Sequence, residues 1–234
     1  MTREILEEAV ALADAMEERG VVFRLLGGAA IFLHCPNAIS DGPYRALGDL
    51  DGITNTAHAT ALKDALTARD YRPDVRFNAL HGDRRQIFHG PSGKLDIFVD
   101  HFDMCHRIPL SRRLGLEART IPVTDLLLTK LQIVELNAKD VQDIGAIVRE
   151  HLLGTGPGDH LDTAYFGSVL GQDWGLWRTS TGSLAKVALL EPDLGDTCRA
   201  LIHVSDDAPK SRSFKLRARI GDRVRWYEIP DEVH

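Results

Sequence analysis

Residues 21–53 read VVFRLLGGAAIFLHCPNAISDGPYRALGDLDGI, and three signals follow one another within them. The apolar run Val21 to Leu26 reads as a buried strand that ends in Gly27-Gly28. A glycine pair at that point lets the backbone come close to a ligand or to another segment. Ala29 to His34 opens a short apolar helix, and the Pro, Asn, Asp and Gly residues between Pro36 and Ala46 mark a loop. The chain then reaches Asp49-Leu50-Asp51, the start of a second strand over 49–54. Alternate side chains of a strand share a face, so Asp49 and Asp51 point one way and Leu50 the other, into the core. Two carboxylates so close repel unless a cation lies between them. Hard cations such as Mg²⁺ take such oxygen ligands, commonly shared with phosphates.

Outward from this unit, Ile5, Ala9, Leu12, Ala13 and Met16 recur at helical spacing, which predicts a helix over 3–18 with Gly20 as its stop. A helix is expected over 57–68. Arg84–His89 and Lys94–Val99 read as a hairpin around Pro91-Ser92-Gly93. In its second arm Asp96 faces away from Leu95, Ile97 and Val99, so it lies on an exposed face or lines a site. Beyond Pro122 come two helices, one carrying Leu126, Leu127, Lys130 and Leu131 with Thr124 or a neighbour as its cap and Asn137 as its end. The other runs from Ala138 to about Leu152. The order of elements gives an α+β protein with an α/β-type core: a mixed sheet with flanking helices and a mainly helical C-terminal part. Gly154–Gly158 reads as a boundary between a core, 1–153, and a C-terminal region, 154–234. In that region 159–170 and 196–204 read as helical, and 214–227 as a strand or an amphipathic tail.

The 234 residues, 44% of them hydrophobic and 26% charged, suffice for a sizeable core. No apolar run approaches the ~20 residues needed to cross a bilayer. The acidic, amphipathic N-terminus does not resemble a signal peptide. Three widely spaced cysteines without CxxC spacing argue against a disulfide framework or a zinc finger and fit a cytoplasmic protein. A net charge of −6 argues against a globally basic nucleic-acid binder. Two local basic clusters, Arg69 to Arg85 and Lys210 to Arg225, read first as solvated surface. His101, Asp103 and His106 fit no zinc pattern and read as surface or structural groups. Signatures for a Walker A loop, GxSxG or HExxH are absent.

Four short motifs occur in a fixed order: Gly27-Gly28; Arg45 four residues ahead of Asp49-Leu50-Asp51; Lys94-Leu95-Asp96-Ile97; and Lys130 followed by Lys139-Asp140-Val141-Gln142-Asp143. This order, over about residues 20–150, resembles the nucleotidyltransferase superfamily typified by DNA polymerase β. Within it the chain is similar to the AbiEii group, toxins of type IV toxin–antitoxin systems whose relatives include the MenT toxins. Leu47 stands where that group often has Thr, and Gly28 where the superfamily pattern has Ser, which leaves phosphate contacts to backbone N–H groups.

The resemblance implies a Mg²⁺-dependent enzyme moving NMP from an NTP to a hydroxyl. Asp49 and Asp51 would hold one or two Mg²⁺ ions, with Asp96 as third carboxylate serving metal or proton transfer. Gly27, Gly28 and Arg45 would bind the nucleotide. Lys130 would neutralise phosphate, and Asp140 or, preferably, Asp143 would orient it or lie near the acceptor. The acceptor is a tRNA, a protein side chain or a small molecule such as an aminoglycoside, and an antitoxin is an implied partner. Two other readings stay open: a catalytically degenerate nucleotide- or partner-binding member, and an interaction protein that shares only the fold. Lys139–Asp143 at i,i+4 would also serve as a plain surface ion pair.

Overall fold

A computed structural model describes residues 2–37, 47–91, 93–156 and 158–229. The chain divides into two compact units, one made of 1–103 and 108–122, the other of 104–107 and 123–234. The expected boundary near residue 153 lies inside the second unit.

The first unit is built on a five-stranded mixed sheet whose strands lie in the order Arg24–Leu25, Leu50–Thr54, Gly93–Val99, Arg85–Gly90, Arg72–Pro73. Helix α1 (Thr2–Glu18) buries the predicted stripe of Ile5, Ala9, Leu12, Ala13 and Met16 and ends before Gly20, whose φ is +67°. The expected strand over 21–26 shrinks to β1 (Arg24–Leu25). It carries a buried charge that the apolar pattern hid. Arg24 donates to the Leu114 carbonyl at 2.8 Å and to Glu17 at 2.9 Å, which satisfies its guanidinium inside the fold. Helix α2 (Gly27–His34) buries Gly28, Ala29, Ala30 and Ile31.

Strand β2 (Leu50–Thr54) starts one residue later than expected, so Asp49 precedes it. Its Gly52 is required by packing: a Cβ there would lie 2.2 Å from the Phe23 ring. β2 pairs antiparallel with β1 and parallel with β5 (Gly93–Val99). The predicted hairpin is present as β4 (Arg85–Gly90) and β5. Helix α3 (Ala59–Thr67) matches the expectation for 57–68. A short strand β3 (Arg72–Pro73) and helix α4 (Val75–His81), capped by Asp74, fill the interval before β4. The sequence reading missed both. Helix α4 buries none of its residues fully and so shows no apolar stripe.

The second unit is mainly helical. Helix α5 (Val123–Leu131) is buried nearly throughout. Thr124 sits inside it rather than capping it, and its hydroxyl accepts from the Asp162 amide. Asn137 does not end that helix but starts the next, α6 (Ala138–Glu150). There it forms a reciprocal cap with Asp140, the third residue in. Two short paired strands, β6 (Leu153–Gly154) and β7 (Leu161–Asp162), lead into α7 (Thr163–Leu170), α8 (Trp174–Leu190), α9 (Gly195–Asp207) and α10 (Arg212–Ile220). Side-chain caps from Asp162, Asp173 and Ser211 begin α7, α8 and α10. The segment read as a strand or tail is therefore helical over 212–220. Ser211 starts it and Gly221, at φ +63°, stops it.

Candidate active site

The parallel pairing of β2 with β5 sets the geometry of the carboxylates. Register partners run Leu50–Leu95, Asp51–Asp96 and Gly52–Ile97. Partners in a parallel pair face the same side, so Asp51 and Asp96 stand directly opposite each other, while Leu50 and Leu95 fill the core behind them. Asp49 comes one residue before the strand. The three carboxylates form a gradient of depth. Asp49 is open to solvent, with its side chain 56% exposed, and its carboxylate lies 3.6 Å from the Lys94 ammonium. Asp51 is half-buried, and Asp96 is 3% exposed.

A carboxylate as buried as Asp96 needs compensation. Arg85 supplies it. Its Nε donates to Asp96 Oδ1 at 2.8 Å and its Nη2 to Asp96 Oδ2, a two-pronged clamp. The guanidinium packs over the Phe98 ring, 5.3 Å from its centroid, and near Phe77 at 5.9 Å. The sequence reading placed Arg85 in a solvated basic cluster; the structure instead places it beneath the carboxylates. Hairpin arithmetic contains the signal. With Gly90 opposite Gly93, Arg85 falls opposite Phe98, hence diagonal to Asp96 on the same face, within reach of a long side chain.

Gly27 closes the site from the other side. It is the first residue of α2 and holds φ +57°, a conformation that costs other residues about 1–2 kcal/mol. A Cβ on it would lie 2.0 Å from Asp51 Oδ2. The backbone thus passes directly over that carboxylate, and the Leu26 amide donates to the Asp51 carbonyl at 2.8 Å. Leu26 provides no side-chain cap to α2, whose partly positive N-terminus sits beside the Asp51 carboxylate. Gly28 follows as a buried residue of the first turn. Arg45 lies outside the described residues.

Lys130, Asp140 and Asp143 belong to the second unit. Lys130 Nζ lies 2.7 Å from Asp143 Oδ2, and the Asp143 side chain is 0% exposed. This carboxylate is therefore not the surface partner of Lys139 that i,i+4 spacing also allowed. Asp140 accepts from the Asn137 amide at 3.0 Å and completes the cap of α6, so a local structural duty accounts for it. His106 is a structural histidine. It is buried, its Nε2 pairs with Thr179 Oγ1 at 2.8 Å, and burial pushes its pKa below the ordinary imidazole value against a weaker opposing pull from Asp173. The three cysteines are buried. No helix among the described residues is long and apolar enough to cross a membrane.

No family model and no curated protein matches the chain. Similar solved structures include the antibiotic-resistance factor ANT(2'')-Ia, at 12% identity over 64% of this chain and 85% of that one, with a TM-score of 0.43. The lincosamide antibiotic adenylyltransferase LnuA, solved with lincomycin, is 16% identical over 60% of this chain and 94% of its own, with a TM-score of 0.41. An antigenic nucleotidyltransferase-like protein from Paracoccidioides brasiliensis is 14% identical over 91% of this chain and 96% of its own, with a TM-score of 0.46.

Proposed function

We propose that the chain is a Mg²⁺-dependent nucleotidyltransferase that moves NMP from an NTP to a hydroxyl acceptor. The observation that carries this reading is the direct opposition of Asp51 and Asp96 across parallel strands, with the Gly27 backbone pressed against Asp51. The donor set suits the ion: hard carboxylate oxygens, one exposed, one intermediate and one fixed. A carboxylate has about four acceptor positions, and the Arg85 clamp occupies two of those on Asp96.

In this reading Asp49 and Asp51 hold the metal, which supplies neutralisation of the triphosphate charge. The Gly27-Gly28 turn and the α2 N-terminus face the phosphates with backbone N–H groups. Arg85 keeps Asp96 aimed at the acceptor hydroxyl, whose proton Asp96 accepts. The hydroxyl oxygen forms a bond to the α-phosphorus, and the bond to pyrophosphate breaks. Lys130 and Arg45 are proposed as phosphate-neutralising groups on the motif resemblance alone. The same resemblance extends the proposal to a toxin acting on tRNA and restrained by an antitoxin.

The test is incubation with Mg²⁺, each α-labelled NTP, and either total RNA or a set of aminoglycosides. Label should move from one NTP to one acceptor class and should be lost in Asp49→Ala/Asp51→Ala. Transfer that survives the double substitution refutes the assignment. Binding of NTP without transfer to any acceptor favours the degenerate reading instead.

A further inference from the structure

A cavity of about 230 Å³ opens within the second unit, and none of its lining residues is among those assigned above to metal or nucleotide. Helix α8 forms its long wall. Arg178, Gly182 and Lys186 recur at i, i+4 and i+8 along one stripe, and Thr179 and Ser183 form the stripe beside it. The central glycine makes the hollow. A Cβ at Gly182 would meet only the far end of Arg178, at 3.7 Å. Trp226 also lines it and donates its indole N–H to Thr179 at 3.0 Å.

The charge of this hollow has one sign. Residues 174–190 contain no Asp or Glu, and among the described residues no carboxylate lines the cavity. Among the described residues neither Arg178 nor Lys186 is in an ion pair. Lys186 spends one N–H on the Leu136 carbonyl at 2.8 Å and keeps two others to offer. Arg178 lies 5.9 Å from the centre of the Trp226 ring. The surrounding chain adds to the field, with seven basic residues against Asp222 alone between 210 and 225, in a chain of net charge −6. Two cations outside any ion pair among the described residues, beside an indole wall, form a receptor for an oxyanion joined to a flat apolar body. The geometry points to a binding site for a small phosphorylated or carboxylated ligand of this kind, distinct in its residues from the proposed nucleotide site.

The experiment uses the full chain without Mg²⁺ or NTP and titrates phenyl phosphate and inorganic phosphate, followed by calorimetry and tryptophan emission. Phenyl phosphate is expected to bind saturably and more tightly than inorganic phosphate. Arg178→Ala and Lys186→Ala should each weaken it by roughly tenfold or more, as loss of a charge-assisted contact does. Gly182→Leu, which adds a good helix former to an exposed position, should abolish it while circular dichroism stays unchanged. Asp49→Ala/Asp51→Ala should bind as well as the wild type, which separates this site from the transfer chemistry. Absence of saturable binding, or unaltered binding by the Arg178 and Lys186 variants, would each overturn the proposal.

Discussion

Replacing Gly27 by alanine probes the closest approach in the proposed active site. Two separate penalties apply. The first is conformational: φ is +57°, and an L-residue with a side chain pays about 1–2 kcal/mol there. The second is steric. The new Cβ would begin 2.0 Å from Asp51 Oδ2 and 2.9 Å from its Cγ, well inside ordinary contact distance, so the carboxylate must swing aside or the α2 N-terminus must lift. Relief of such overpacking costs about 1–3 kcal/mol. Together the variant should lose roughly 2–5 kcal/mol of stability, the range set by both principles. Displacement of Asp51 by about 1 Å should lower the transfer rate on the order of 10²-fold. Two other glycines separate the penalties. Gly20 has φ +67° with nothing near its missing Cβ, so Gly20→Ala reports conformational strain alone. Gly48 has no positive φ and, among the described residues, nothing near its missing Cβ, so Gly48→Ala should change stability little. Urea denaturation of all three, with transfer assays on each, gives the comparison. Gly27→Ala with the stability of Gly20→Ala and undiminished transfer would refute the claim that Asp51 is pressed against the backbone.

Four further outcomes follow from the structure. Lys130→Met removes the cation 2.7 Å from the buried Asp143 carboxylate and should cost up to about 3–5 kcal/mol in urea denaturation. Adding Asp143→Leu should restore much of that loss, and failure to restore it would show that the pair is not the cause. Arg85→Lys removes the two-pronged hold on Asp96, so kcat should fall about tenfold or more with KM for NTP little changed. An unchanged kcat would count against a positioning role. Asp140→Ala should cost about 1 kcal/mol, the size of a lost cap, and leave transfer nearly intact. His106 binds its proton more weakly when folded than when unfolded, so its contribution to stability is present above pH 6.5 and lost as pH falls toward its lower native pKa. His106→Gln should flatten that acid-side decline in urea midpoints measured from pH 7 downward.

The elements with strong periodicity were legible in the sequence. Helix α1, helix α3 and the β4–β5 hairpin each had an apolar pattern or a turn signal of matching length. Strand alternation predicts Asp49 and Asp51 on one face, but Asp49 precedes β2, so the alternation applies only from Leu50 onward. Asp96 was half legible. Alternation showed that it faced away from its aliphatic neighbours, but only the register of β5 against β2 shows what it faces. Register depends on contacts between residues far apart in the chain, which no local pattern encodes. Arg85 was missed because a cation in a run of cations looks like surface until its diagonal partner is known. Asn137 was misread as a helix end because Asn serves at either terminus, and the Asp three residues later, which fixes it as a start, was assigned to chemistry instead. Helix α4 and the helical nature of 212–220 escaped because neither buries a full apolar stripe.

The parallel step between β2 and β5 also bears on how the protein comes to have a site at all. Asp51 and Asp96 are 45 positions apart in sequence, and the interval holds two helices and two strands that must form and pack before the carboxylates meet. Such distant pairing is entropically slow, whereas helices form in about a microsecond. During refolding, helicity should therefore return well before any capacity to bind a divalent ion. A nick or insertion anywhere between residues 55 and 81 then acts on the site without touching it. If the proposed function holds, metal affinity becomes a readout of whether the whole sheet has closed, not a property of the carboxylates alone.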